Sequence, residues 1–251
     1  MPVALITGAS VGIGAALARE LSRRGYAVGL VARRAELLES LAAELRAAGG
    51  TAAWAAADVT DQEQVLAATA KIAAELGPID LLVANAGTGM AVKASTAPVE
   101  AWMKVLRLNI DGVIYSTGAV IPAMVARGTG HLAVVSSIAG YRGLPGNGAY
   151  SASKAAVTVF YEALRVDLKK HGIAVTAIHP GFIKTPLTDK NRFPMPFLMS
   201  AERAATLIAD GLQARRSEVN FPWQMVWLLK LARLIPNWAY DRIVGGRGVM
   251  G

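Results

Sequence analysis

The chain has 251 residues, of which 53% are hydrophobic and 18% charged, with a formal net charge of +8 and no cysteine. This composition allows one sizeable buried core, so we expect a single domain over residues 1–251. The lack of cysteine excludes disulfides and thiolate catalysis, and with three scattered histidines we expect no metal site.

Short apolar runs alternate with long alanine- and leucine-rich stretches. We predict strands at 3–7, 27–32, 51–57, 79–84, 131–136 and 173–178, and helices at 13–24, 34–48, 61–76, 99–126 and 149–171. Such alternation is typical of repeated βαβ units. The sequence therefore predicts an α/β fold of the Rossmann type, a doubly wound parallel sheet with helices on both faces.

The regular alternation ends after Gly181. Residues 182–199 are rich in Pro, Phe and Met, and Ser200 is a good N-cap for a further helix. The segment 221–244 is apolar and carries three of the five tryptophans. The first predicted strand begins almost at the initiator, which leaves no room for a signal sequence, so we expect a cytoplasmic protein.

The turn after the first strand indicates a phosphate site. It reads Thr7-Gly8-Ala9-Ser10-Val11-Gly12-Ile13-Gly14, between a predicted strand and a predicted helix. Glycines in this setting let backbone N–H groups approach a pyrophosphate at a helix N-terminus. A plain tight turn is the alternative for this segment alone.

Further motifs follow along the chain. They are Asp58-Val59, Asn85-Ala86-Gly87, Asn109, Ser137, Tyr150-x-x-x-Lys154 and Pro180-Gly181. With the glycine turn, their order and approximate spacing resemble those of the short-chain dehydrogenase/reductase family over roughly residues 3–186. The resemblance implies an enzyme that moves hydride between a nicotinamide dinucleotide and an alcohol or ketone carbon.

Tyr150 and Lys154 are the expected proton-transfer pair. Reducing a ketone builds negative charge on its oxygen, so the site needs a proton source and hydrogen-bond donors at that oxygen. Tyr150 and Lys154 lie four residues apart on a predicted helix and share one face. The ammonium, with the positive nicotinamide, should therefore favour a phenolate whose free pKa is about 10.

Ser137 and Asn109 complete the expected catalytic set. Ser137 follows strand 131–136 at the carboxyl end of the sheet, where it can donate to the substrate oxygen. We prefer it to Ser136 because its distance from Tyr150 along the chain matches the family. The resemblance implies that Asn109 kinks helix 99–126 and relays protons to Lys154 through water; the alternative is a polar residue that faces solvent.

The resemblance also assigns cofactor contacts. It implies that Asp58 and Val59 contact the adenine, that Lys154 holds the nicotinamide ribose, and that Ile183 and Thr185 bind the carboxamide. Asp58 could otherwise be a helix N-terminal residue and Asn85 a turn former. The whole expected cofactor set is Gly8, Ser10, Gly12, Ile13, Gly14, Arg33, Arg34, Asp58, Val59, Asn85, Ala86, Gly87, Tyr150, Lys154, Pro180, Gly181, Ile183 and Thr185.

The end of the second predicted strand favours NADP over NAD. A carboxylate there would bind the free ribose 2′-hydroxyl of NAD, but this sequence has Ala32-Arg33-Arg34. Arginine suits a phosphate, so Arg33, assisted by Arg34 or Ser10, is expected to bind the 2′-phosphate. Two arginines that merely begin a solvated helix are the alternative. Many NADP-using relatives carry a basic residue before the second glycine, where this chain has Val11.

The substrate is expected to be a hydrophobic alcohol or ketone. We predict a mobile lid at 186–200, within a substrate-side region at 186–215, because its side chains are apolar and adaptable. They are Phe193, Met195, Phe197, Leu198 and Met199. Tyr141, Leu144 and Met90 are candidates for the same pocket, with core packing as the alternative.

The C-terminal part is basic, with ten Lys/Arg against five Asp/Glu in residues 182–251. The net charge is the only feature that favours binding of nucleic acid, and the sequence has no recognised nucleic-acid-binding motif. We therefore expect no nucleic acid to bind. Segment 221–244 could pack on the protein or a partner subunit, or lie in a membrane interface. We favour packing because apolar residues occur on nearly every side of it.

The sequence is compatible with two different functions. The first is an NADP-dependent oxidoreductase for a hydrophobic carbonyl or alcohol, and the second is a dinucleotide-binding redox sensor without turnover. The intact set of Ser137, Tyr150, Lys154 and Asn109 favours the enzyme, since a sensor does not need it. The resemblance also implies a homodimer or homotetramer that associates through helices 99–126 and 149–171.

Overall fold

The computed structural model describes residues 1–89, 91–92, 94–190 and 194–245. Its strands are β1 Val3–Thr7, β2 Ala27–Ala32, β3 Ala52–Ala56, β4 Ile79–Ala84, β5 Gly130–Val135, β6 Ile173–Pro180 and β7 Glu218–Phe221. They form one parallel sheet in the order β3-β2-β1-β4-β5-β6-β7. The chain reverses its direction of winding between β1 and β4, which confirms the predicted doubly wound fold.

Helices cover both faces of this sheet. Those in the described residues are α1 Gly12–Arg23, α2 Ala35–Ala47, α3 Gln62–Leu76, α4 Val99–Leu106, α5 Gly112–Arg127, α6 Gly148–Asp167, α7 Ala201–Gln213, α8 Trp223–Ala232 and α9 Asn237–Gly245. Ser200 caps α7 as predicted, since its side chain accepts a hydrogen bond from Arg203 N.

Two buried layers hold the sheet between the helices. Alternate residues of β1 point to opposite faces, so Ile6 packs with α1, α2 and α7, while Leu5 packs with α3, α5 and α6. Burying an aliphatic side chain of this size stabilises the fold by about 1.5–3 kcal/mol. These layers fix the carboxyl ends of β1, β4 and β5 along one edge of the sheet.

The predicted helix 99–126 is interrupted. Residues Arg107–Asp111 form a π-helical turn in which Gly112 N–H bonds to Arg107 O, five residues back. The turn brings Gly112 so close to Val59 that a β-carbon on Gly112 would lie 2.6 Å from Val59 Cγ2. Insertions of this kind are frequent at functional sites.

Strand β7 was not predicted, because it is short and follows a stretch without regular alternation. It pairs with the last four residues of β6, which runs to Pro180 instead of 178. Helix α6 ends at Asp167 rather than 171, because Lys169–His171 forms a 3-10 turn that leads to Gly172 at φ 69°.

Among the described residues, one helical stretch, Val99–Arg127, is long and apolar enough to cross a membrane. Such a stretch is weak support for a membrane span, because core helices have the same length and composition. Here Val105, Val113 and Val120 are buried in the fold. The stretch therefore serves as a sheet-covering element.

Candidate active site

The glycine turn between β1 and α1 is closely packed against the end of β4. Gly8 has φ 65°, and a β-carbon on it would lie 2.8 Å from Ala86 Cα. A β-carbon on Gly14 would lie 2.4 Å from Gly8 O. Backbone must therefore shift if either residue gains a side chain, so glycine is required at both positions. The cleft that a ligand could enter lies beside Gly8, Gly12 and Ile13, at the N-terminus of α1.

Asn85 and Thr7 join the two strand ends. Asn85 Nδ2 donates to Thr7 O over 2.9 Å and to Gly8 O over 3.2 Å. Thr7 Oγ1 accepts hydrogen bonds from Asn85 N and Ala86 N, each over 3.1 Å. Asn85 thus stabilises the glycine turn. The supporting role of Thr7 was missed, although it is the first residue of the turn motif.

The two arginines of the predicted cofactor set lie beside this turn. Arg34 Nη2 donates to Ser10 Oγ over 3.1 Å, and Arg33 Nη1 lies 3.8 Å from Asp58 Oδ2. Arg33 is largely exposed, and Asp58 is its ion-pair partner. Asp58 accepts hydrogen bonds from Thr60 in its own turn, while Asp61 caps α3.

One cleft connects this cofactor end to the predicted catalytic residues. It has a volume of about 330 Å³. Its lining includes every predicted cofactor residue except Gly14, which lies under the turn, and three of the predicted catalytic residues. Those three are Ser137, Tyr150 and Lys154. Asn109 lies behind them and is fully buried.

Lys154 is held under Tyr150. Its Nζ donates to Val135 O over 2.7 Å and lies 5.8 Å from the centroid of the Tyr150 ring. Ser137 Oγ accepts from Ala139 N over 3.1 Å and donates to Pro180 O over 3.4 Å. Ser136 instead donates to Lys154 O and packs inward, next to Thr158. Both serines line the cleft, but the Ser136 hydroxyl is bonded to groups of α6, so Ser137 is the better placed donor for a substrate oxygen.

Burial shifts the pKa of both members of the pair. Burial raises the pKa of the Tyr150 phenol, and a hydrogen bond with Ser137 partly opposes that rise. Burial also lowers the pKa of the Lys154 ammonium to about 8. Tyr150 is therefore a protonated phenol near neutral pH, while Lys154 is poised to gain or lose a proton there.

Asn109 links three elements around the pair. Its Oδ1 accepts from Thr88 N over 2.8 Å, and its Nδ2 donates to Thr88 O and to Ser153 Oγ, each over 2.9 Å. Ser153 Oγ in turn donates to Tyr150 O over 2.7 Å. The alternative that Asn109 faces solvent is therefore wrong. Ser153 and Thr88 were missed, although Ser153 directly precedes Lys154.

The segment after β6 closes the far side of the cleft. Gly181 N donates to Phe221 O over 2.7 Å, so the missed strand β7 helps to place this turn. Thr188 Oγ1 donates to Ile183 O and accepts from Thr185 N over 3.0 Å. Ile183 and Thr185 both line the cleft, with Leu187 and Thr188 beside them.

The predicted substrate residues lie in several different places, and Met199 packs against the core. Phe197 and Leu198 are exposed in the predicted lid, and Met90 and Phe193 lie outside the described residues. Tyr141 is turned away from the cleft: its ring stacks on His179 with centroids 5.1 Å apart, and its hydroxyl donates to Asn220 Oδ1. It lines a second cavity, beside α6.

Within the described residues, no cluster of three or more His, Asp or Glu side chains could hold a metal ion. The ionisable groups in the cleft are instead one phenol, one amine, two guanidinium groups and the carboxylate of Asp58. Such a set can bind phosphate and can move a proton at an oxygen atom.

Comparisons with known proteins point to the same chemistry. Residues 2–194 match the short chain dehydrogenase family. An uncharacterized oxidoreductase of Myxococcus xanthus is 45% identical over 238 residues, which cover 95% of this chain and 94% of that protein.

Several solved structures are similar to this protein over most of its length. A 3-ketoacyl-ACP reductase from Sinorhizobium meliloti is 32% identical, with a TM-score of 0.82, and the match covers 90% of this chain and 100% of that one. An alcohol dehydrogenase from Thermococcus sibiricus, complexed with 5-hydroxy-NADP, is 28% identical, with a TM-score of 0.79 over 88% and 94%. A Burkholderia phymatum short chain dehydrogenase/reductase in complex with NAD is 24% identical, with a TM-score of 0.85 over 100% and 96%, and supports the fold alone.

Proposed function

Since the chain belongs to the short-chain dehydrogenase family and is an oxidoreductase of that type, we propose that it interconverts a hydrophobic ketone or aldehyde and the corresponding alcohol with NADP. One observation carries the proposal: Ser137, Tyr150 and Lys154 line the same cleft as the glycine turn and the two arginines. A proton donor and a dinucleotide site thus share one space.

The residues at the cofactor end fit a dinucleotide. Gly12 and Ile13, at the N-terminus of α1, line the cleft, so their backbone N–H groups can meet a pyrophosphate there. Lys154 and Tyr150 would hold the nicotinamide ribose, and Ile183 with Thr185 the carboxamide. When bound, the dinucleotide supplies or accepts the hydride.

Tyr150 is the proposed general acid and base. Its raised pKa keeps the phenol protonated near neutral pH, so it can donate a proton to a carbonyl oxygen as that oxygen gains negative charge. Ser137 donates a second hydrogen bond to the same oxygen. In the reverse direction, protonated Lys154 stabilises the phenolate that accepts the proton from the alcohol.

Asn109 is proposed as a positioning residue. It fixes Thr88 on one side and, through Ser153, the Tyr150 backbone on the other. The π-turn that carries it lies between α4 and α5. A water relay from this turn to Lys154 remains part of the proposal.

The preference for NADP rests on the charges around the ribose site. Arg33 and Arg34 face this end of the cleft, against one carboxylate, Asp58. Arg34 and Ser10 are already paired, so the two can bind one phosphate together. The similar alcohol dehydrogenase from Thermococcus sibiricus holds an NADP derivative, which supports this choice.

The proposal also covers the type of substrate, the oligomeric state and the location in the cell. A hydrophobic substrate suits Leu187, which lines the cleft, and the exposed Phe197 and Leu198 of the predicted lid. Exposed apolar side chains such as Ile114 on α5 and Val159 on α6 suit a homodimer or homotetramer built on these helices. We place the protein in the cytoplasm.

The proposal is tested by measuring the oxidation of NADPH and NADH with aldehydes and ketones of graded chain length and ring size. We expect turnover that favours NADPH and bulkier apolar substrates. Tight binding of both cofactors without turnover of any carbonyl would contradict the proposal and favour a redox sensor.

A further inference from the structure

Helices α8 and α9 carry a row of exposed apolar side chains, which we call the tryptophan face. Its members are between 52% and 78% exposed, although several are among the largest side chains in the protein. They are Trp223, Trp227, Leu228, Leu231, Leu234, Trp238 and Ile243. Apolar side chains clustered in this way mark an interaction surface.

Helix α8 is apolar on two sides, and the protein core accounts for one of them. Met225 and Val226 are buried against Ile138, the residue after Ser137. Trp223, Trp227 and Leu231 recur every four residues and therefore share the opposite side, which faces solvent. The expected packing of segment 221–244 thus holds for one side of α8 only.

The tryptophan face is held in a fixed position. Arg142 Nη1 donates to the carbonyl oxygens of Ala232, Arg233 and Ile235, and its Nη2 donates to Asn237 Oδ1. The Arg142 guanidinium also lies 4.2 Å from the centroid of the Tyr240 ring. These contacts fix the corner between α8 and α9, so the exposed side chains of the two helices keep fixed positions relative to one another.

The charges beside this surface are mainly positive. Arg233, directly after α8, and Arg242 on α9 are exposed, and Asp241 is the one exposed carboxylate among the described residues of this unit. Residues 182–251 as a whole hold twice as many basic as acidic side chains. A surface that combines exposed tryptophans with cations is complementary to an anionic phospholipid headgroup layer.

We propose that the tryptophan face docks this protein on an anionic lipid bilayer, with α8 and α9 lying in the headgroup region. With ten and nine residues, these helices are too short to span the bilayer. A second copy of the chain fits the surface less well. An isologous contact would place the same patch, with Arg233 and Arg242, opposite itself.

The test is co-sedimentation of the full chain with vesicles of phosphatidylcholine, alone or mixed with phosphatidylglycerol. We compare Leu231→Glu with Leu66→Glu, which introduces the same change at an exposed leucine on α3. Turnover of a water-soluble carbonyl confirms that both variants are folded. Light scattering gives their molar mass.

We expect the protein to sediment with the mixed vesicles and to lose this binding by about tenfold or more in Leu231→Glu, but not in Leu66→Glu. Arg233→Gln and Arg242→Gln should each weaken it by about fivefold, and added salt should weaken it further.

Three results would overturn the proposal. The first is wild-type protein that stays in the supernatant with both kinds of vesicle. The second is equal binding by Leu231→Glu and Leu66→Glu. The third is a molar mass that falls in Leu231→Glu alone, which would show that a second copy covers this surface.

Discussion

The catalytic cleft and the α8–α9 unit lie side by side but differ in how their side chains are used. In and directly behind the cleft, Lys154, Ser137 and Asn109 are buried and each makes a specific hydrogen bond. On α8 and α9, the largest apolar side chains face solvent. Hydrogen bonds within the protein fix the side chains of the cleft, whereas the outer side of α8–α9 exposes apolar side chains that suit contact with another surface.

This difference predicts where substitutions act. A change in the cleft should affect chemistry, cofactor choice or the cost of a buried charge. A change on the outer side of α8 should affect neither stability nor turnover of a soluble substrate.

The largest effect is expected for Tyr150→Phe. Removing the hydroxyl removes the proton donor, so turnover with NADPH and a ketone should fall by about 10²–10⁴-fold. NADPH affinity, measured by fluorescence titration, should change little. Turnover close to that of the wild type would contradict the role given to Tyr150.

Lys154→Met should change how stability depends on pH. Below about pH 8 the Lys154 ammonium is charged in the folded and in the unfolded state. Burying this charge lowers the free energy of unfolding, and the whole penalty is present in this pH range. Between about 8 and its ordinary pKa of 10.5, the folded state has lost this proton and the unfolded state keeps it. The free energy of unfolding should therefore rise with pH in this window, by up to about 3 kcal/mol.

Denaturant unfolding of the cofactor-free protein at about pH 7 and pH 9 measures this rise. The wild type should gain stability relative to Lys154→Met. Equal gains in the two proteins would show that the buried ammonium carries no such penalty.

Arg33→Asp should shift cofactor preference by an intermediate amount. The new carboxylate repels a 2′-phosphate and can accept a hydrogen bond from a free 2′-hydroxyl. The ratio of kcat/KM for NADPH over NADH should fall by about tenfold to a hundredfold. Lys169→Asp makes the same charge change at the opposite end of the sheet and should leave the ratio unchanged. An unchanged ratio in Arg33→Asp would remove Arg33 from the 2′-phosphate site.

The smallest effect is expected for Trp227→Ala, compared with Met225→Ala on the same helix. Met225 is buried against Ile138, and its truncation should lower the free energy of unfolding by about 2 kcal/mol or more. Trp227 is exposed, and its truncation should change the free energy of unfolding by less than about 0.5 kcal/mol. A large loss in Trp227→Ala would show that the outer side of α8 is packed in the isolated protein.

Much of the cleft could be predicted because its residues belong to short motifs at fixed places. Gly8, Tyr150 and Lys154 stand at strand ends and helix starts that the alternation of strands and helices also predicts. The structure brings these motifs into one cleft from separate parts of the chain. The burial of Asn109 follows from a π-turn, which no residue spacing indicated.

The supporting residues could not be predicted from the sequence, because their roles depend on partners far along the chain. Ser153 matters only because Asn109 reaches it from another helix, and Thr7 because β4 ends beside it. Strand β7 has four residues and gains its partner only when β6 extends to Pro180. The two sides of α8 likewise could not be separated until the position of Ile138 was known.

The most direct test of the account is the transfer of deuterium from NADPH labelled at the nicotinamide C4 to the product of a bulky apolar ketone. Mass spectrometry of the alcohol shows whether the label arrives. We predict one deuterium on the carbinol carbon with the wild type and almost none with Tyr150→Phe. If NADPH binds and no carbonyl in a graded series gains the label, the account of an NADP-dependent oxidoreductase is wrong.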